Sequence, residues 1–164
     1  MKFRGDLLSI SALLALPVDR STSSGEHFGP RVLHSAAGNA RRAAQLIAEG
    51  EPFDPAWRFG ILQTLDDYTS TAKRGGAALA SSVFSEEPAP TGAAELDAAF
   101  AALADHLAER DGWRVPSWAL DPTRRVLSWY PAVPSLFREE ADRDSPRAFR
   151  TRGILITKRS LARA

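Results

Sequence analysis

The sequence predicts an all-α, multi-helical single domain with an irregular segment rich in tryptophan and proline near its C-terminal end. Three observations carry this. Apolar residues recur at helical spacing in several windows. Helix-stop and helix-start residues punctuate those windows. The apolar run Ile154-Leu155-Ile156 is too short to carry a sheet alone. The chain has 164 residues, 44% of them apolar and 25% charged, a globular composition at a length that buries roughly 70% of the unfolded surface.

From the N-terminus, Lys2 and Arg4 precede an apolar stretch over residues 7–16. Asp6 in the charged region, Ser9 and Ser11 in the apolar one, and the lack of a small-x-small cleavage site argue against a secretory signal. Leu7, Ile10 and Leu14 instead predict a short amphipathic helix ended by Pro17. Residues 19–30 read as a loop. A helix is predicted over 35–49, with Gly50 as its stop and Gly38 as a weak point inside it. Asp54-Pro55 supplies a capping residue and a first-turn proline. Trp57, Ile61, Leu65 and Tyr68 then mark a helix to about residue 71. Lys73-Arg74-Gly75-Gly76 breaks it, and a short helix over 77–84 follows.

Residues 85–92 (SEEPAPTG) form the clearest linker and divide the chain into a helical subdomain at 1–84 and a second at 93–164. The strongest helix covers 93–110. Leu96, Phe100, Leu103 and Leu107 line one face, whereas Asp97, Asp105 and Glu109 lie off that stripe, so one face is expected in the core and the other in solvent. Gly112 ends it. In residues 113–134, Trp113, Trp118, Trp129 and Tyr130 crowd among four prolines. Proline forbids a long helix and the rings need burial, so this segment should wrap across the helices. Asp121-Pro122-Thr123 is a candidate helical turn. Ser135 should cap a helix whose apolar side is Leu136 and Phe137. Ser145-Pro146 opens another, with Phe149 inward and Gly153 as the stop. Residues 154–156 form a buried extended stretch or one paired strand, and Thr157 caps a last helix through Arg163.

Charge is divided unevenly. Residues 1–112 hold ten basic and fifteen acidic side chains, net −5, and residues 113–164 hold eleven and five, net +6, which together give the overall +1. Either the C-terminal arginines form a partner surface for acidic protein or nucleic acid, or they have acidic partners within the chain.

Signals for chemistry are few. Absence of cysteine excludes thiol catalysis and cysteine-ligated metal sites. It also fits a reducing, cytoplasmic setting. His27, His34 and His106 have no metal-ligand spacing, and His106 reads as a residue bordering the apolar stripe. Adjacent acids at Asp66-Asp67 and Glu139-Glu140 point about 100° apart on a helix and do not converge on one ligand. No serine elbow, Walker loop or dinucleotide fingerprint occurs. No cofactor, metal or catalytic residue is assigned, and the chain is not expected to be an enzyme. No apolar run approaches the ~20 residues that cross a bilayer. A helix-turn-helix over 35–71 would put Trp57 and Phe59 at the start of the reading helix, where base-contacting side chains belong; a packed helical hairpin accounts for that pair better.

One resemblance extends this reading. Thr91-Gly92, Leu96-Asp97-Ala98, His106-Leu107-Ala108, Val115-Pro116-x-Trp118-x-x-Asp121-Pro122, then Trp129, Pro131, Leu136, Ser145-Pro146-x-Ala148-Phe149 and Arg152-Gly153-Ile154 follow an order. It resembles small actinobacterial antitoxin-like proteins associated with helix-turn-helix regulators and encoded beside nucleotidyltransferase-like partners. The likeness covers about residues 91–164. It implies a non-enzymatic module that neutralises or regulates a partner enzyme, with a DNA-binding regulator using the basic C-terminal surface as the alternative. Arginine is favoured at interface centres, so Arg124, Arg125, Arg138, Arg147, Arg150 and Arg152 are the expected contacts.

Overall fold

A computed structural model describes residues 31–161. The apolar segment 7–16, the loop 19–30 and the far end of the last predicted helix lie outside the described residues. The architecture is all-α. Helix α1 is Ala36–Ala48, with the Ser35 hydroxyl accepting from Gly38 N at 3.1 Å. This bond supplies one of the orphan donors of the first turn. Helix α2, Phe53–Ala56, runs without a break into a π-helical segment, Trp57–Leu62, and then into α3, Gln63–Ser81. Asp54 lies in the first turn of α2 and makes no side-chain cap, contrary to the capping role its sequence suggests. The expected break occurs at Gly75 and Gly76, whose backbones leave the helical region, Gly76 at φ +76°.

Helix α4, Ala94–Asp111, is the centre of the molecule. Its sequence stripe predicts one solvent face; instead Ala98, Ala99, Ala101, Ala102, Ala104 and Ala108 are buried along with the leucines. Alanine lets neighbours close in on the remaining sides. The π-helical segment takes one of them: a Cβ on Gly60 would sit 3.1 Å from the Ala43 side chain and 3.3 Å from the Phe100 ring, so α1, Gly60 and α4 meet at backbone distance. The C-terminal segment, including α6 (Arg147–Arg150), takes another.

The Trp/Pro-rich stretch does wrap across the helices. Trp118 is buried and donates Nε1–H to the Phe84 carbonyl at 3.1 Å. Trp113 stacks on Phe84 at 5.8 Å. Trp129 is edge-on to both Phe53 and Trp57. It also forms an isolated parallel bridge with Ile154, so the 154–156 stretch is paired but makes no sheet. Helix α5, Arg138–Asp144, follows a 3-10 turn at Ser135–Phe137. Here the expected apolar side is turned outward: Leu136 is 83% exposed and Phe137 41%. Ala141 is the buried residue of α5. One hydrophobic cluster contains Ala36, Leu46 and Phe84 from before residues 85–92 and Leu103, Phe149 and Ile156 from after them. No helix among the described residues is long and apolar enough to cross a membrane.

Candidate interaction surface

Much of the charge asymmetry resolves into pairs between the two halves of the sequence. Asp105, off the apolar stripe, is buried at 5% exposure. Its Oδ1 accepts from Arg147 Nη2 and its Oδ2 from Arg152 Nη1, each at 2.8 Å. Arg147 also reaches Glu109. Arg152 donates further to the Ala148 and Ala119 carbonyls at 2.8 and 2.7 Å. Arg124 pairs with Glu87 at 2.9 Å, donates to the Pro88 carbonyl and lies over the Trp118 ring at 5.3 Å. Arg124 and Arg152 are thus buried fastenings, not contact residues awaiting a partner. Arg147 is half-exposed but engaged by two carboxylates.

The other three arginines differ. Arg125 is exposed with no ion-pair partner among the described residues. Arg138 lies 4.9 Å from the Tyr130 ring centroid and pairs with no carboxylate among the described residues. Arg150 is exposed and, among the described residues, reaches the Arg143 carbonyl at 3.5 Å and no carboxylate. Sequence reasoning could not divide the six, because burial and pairing are decided by helices far away in the chain. It also passed over the apolar residues in the same arm. Leu127 is fully exposed and Leu120 is 61% exposed, in addition to the outward-turned Leu136 and Phe137. A sequence signal exists at Leu120, where Thr123 and Arg124 at i+3 and i+4 continue no apolar stripe.

A cleft of about 320 Å³ opens beside Phe137, lined also by Ala132, Glu140, Thr157 and Arg159. Ala132 holds a left-handed backbone, φ +51°, at its edge, which costs an L-residue roughly 1–2 kcal/mol. A second groove of about 340 Å³ lies between the end of α1 and the start of α4, floored by Ile47, Phe53 and Ala93 and flanked by Glu51 and Glu95. His34 lines a small hollow of about 50 Å³ with Asp67 and Arg74. Among the described residues, no group of three His, Asp or Glu side chains is placed to hold a metal ion.

The most perturbed ionisations cluster where α3 meets the end of α4. Tyr68 donates its hydroxyl to Asp111 Oδ2 at 2.6 Å and accepts from Trp113 Nε1 at 2.8 Å. Burial, then the carboxylate acceptor, pushes its pKa up to about 12. Asp111 is gripped by Arg110 through two bonds of 2.8 and 2.7 Å. These, with the Tyr68 bond, hold its pKa at about 2 against the effect of burial. His106, edge-on to Phe149 at 5.9 Å, has a pKa lowered by burial and then by Arg110. Tyr68 and Asp111 tie α3 to the end of α4, and neither lines the two larger clefts.

Comparison with known proteins identifies no relative: no family model matches the chain, and no curated protein or solved structure is significantly similar to it.

Proposed function

We propose that this chain is a non-enzymatic, cytoplasmic protein-binding module, antitoxin-like in that it covers and so neutralises or regulates a partner enzyme. One observation carries the reading: the C-terminal arm exposes Leu127 and Leu136 together with Arg125, Arg138 and Arg150, cations that have no carboxylate partner among the described residues. An exposed leucine contributes nothing to folding and gains about 1.5–3 kcal/mol when a partner covers it. Arginine adds bidentate and stacked contacts at interface centres. Occlusion of the partner's site requires no chemistry from this chain. The partner suggested by the sequence resemblance is a nucleotidyltransferase-like toxin.

Capture of a partner by the tagged full chain from its own cells, with and without nuclease, tests this. A stoichiometric protein should survive nuclease and be lost with Leu127→Asp or Arg125→Glu. The captured enzyme should be inhibited by the parent chain. Recovery of nucleic acid alone, with affinity falling steeply as salt rises, would replace this reading with DNA binding.

A further inference from the structure

The groove between α1 and α4 and the exposed turn before α5 are complementary to each other. The groove is floored by Ile47, Phe53 and Ala93, and Glu51 and Glu95 flank it. Neither glutamate has an ion-pair partner among the described residues. The turn offers the opposite chemistry: Leu136 and Phe137 stand out of the core, and Arg138 follows them with no carboxylate partner among the described residues. Two consecutive residues, Trp129 and Tyr130, connect the two features along the chain. Phe53 is edge-on to Trp129 at 5.8 Å, and the next residue, Tyr130, carries the Arg138 guanidinium over its ring. A chain that carries both halves of a complementary contact can satisfy each of them across a twofold axis, the commonest symmetry of soluble oligomers.

We propose that a second copy of this chain occupies the groove. Leu136 and Phe137 of one protomer cover Ile47 and Phe53 of its partner, and Arg138 comes against Glu51 and Glu95, twice per dimer. Apolar burial supplies the attraction, and the charges set the register and the choice of partner. The dimer does not depend on the proposed function. If that function holds, the dimer hides Leu136 and Arg138, so a bound partner enzyme and the second copy exclude one another.

Sedimentation velocity of the full chain across a concentration series, at low and high salt, tests the dimer. A salt-sensitive dimer is expected. Glu95→Arg and Arg138→Glu should each weaken it by at least about tenfold, a loss of about 1.4 kcal/mol or more. Both positions are solvent-accessible, and far-UV circular dichroism should show each variant folded. The two variants mixed in equal amounts should dimerise again, because the mixed pair restores an Arg–Glu contact on both sides of the axis. A chain that stays monomeric throughout overturns the proposal. So does a dimer indifferent to both substitutions, or a mixture that does not recover. Leu127 and Arg125 lie outside this contact, so loss of partner capture in their variants reports on the proposed function alone.

Discussion

Asp105 Oδ2 and Arg152 Nη1 lie 2.8 Å apart with both side chains more than nine-tenths buried, joining the middle of α4 to the segment after α6 across 47 positions of sequence. Removing one partner of such a pair leaves an uncompensated buried charge, at a cost of about 3–5 kcal/mol. Asp105→Ala should therefore lower unfolding free energy by that order, because it leaves the buried Arg152 without its carboxylate, while Arg147 keeps Glu109. Arg138→Ala, on an exposed side chain, should change it by less than about 0.5 kcal/mol. Urea denaturation of the two variants separates a fastening arginine network from a surface one; equal effects would contradict the division made here.

Gly153 should tolerate no side chain. Its φ is +75°, and a Cβ there would run into the carbonyl oxygen of Val126. That carbonyl belongs to the extended segment that hydrogen-bonds to residues 152–155 through Val126 and Trp129. Gly153→Ala must displace this segment as well as strain the backbone. Gly50→Ala, at φ +80° with open space around it, carries the strain alone, roughly 1 kcal/mol. Thermal unfolding should show Gly153→Ala as much the more damaging of the two.

Tyr68 should ionise late. The chain has two tyrosines, so Tyr130→Phe leaves a single tyrosinate signal in the ultraviolet. That signal should appear near pH 12 in the folded protein, against about 10 for a free phenol. A pKa raised in the folded state means stability present below pH 10 and lost as pH rises toward 12. Ionisation near pH 10 without unfolding would show that the bond to Asp111 is not formed in solution.

Asp111 has the opposite sign. Its pKa is depressed to about 2 in the folded state, first by the Arg110 hydrogen bonds. Its contribution to stability is therefore present above the unfolded value, about 3.9, and is lost as pH falls through about 2. Asp111→Asn should flatten the stability profile in that window while lowering stability at neutral pH. Carbon-detected NMR titration of the Asp111 carboxyl checks the pKa directly.

The regular helices were legible because their signals are local. Ser35 and Gly50 bracket α1, Gly75-Gly76 interrupts α3, and Gly112 ends α4. Trp118 and Phe149 are core residues, as their size and surroundings predict. The candidate surface was legible only as a basic composition. Arg152 and Arg150 are two residues apart in the same local sequence, yet one is locked to Asp105 and two carbonyls while the other is in solvent.

By itself the sequence determined that the chain is helical, where most helices begin and end, and that its C-terminal part is wrapped and cationic. Those properties follow from backbone preferences, capping side chains and apolar period, which act within a few residues. Tertiary structure alone decided that α4 is enclosed on nearly all sides, that Asp105 is a buried acceptor for two arginines, and that Leu136 and Phe137 face outward. Each depends on which distant element occupies the neighbouring space. A carboxylate is buried only where guanidiniums arrive to meet it, and an apolar side chain stays in water where nothing arrives to cover it.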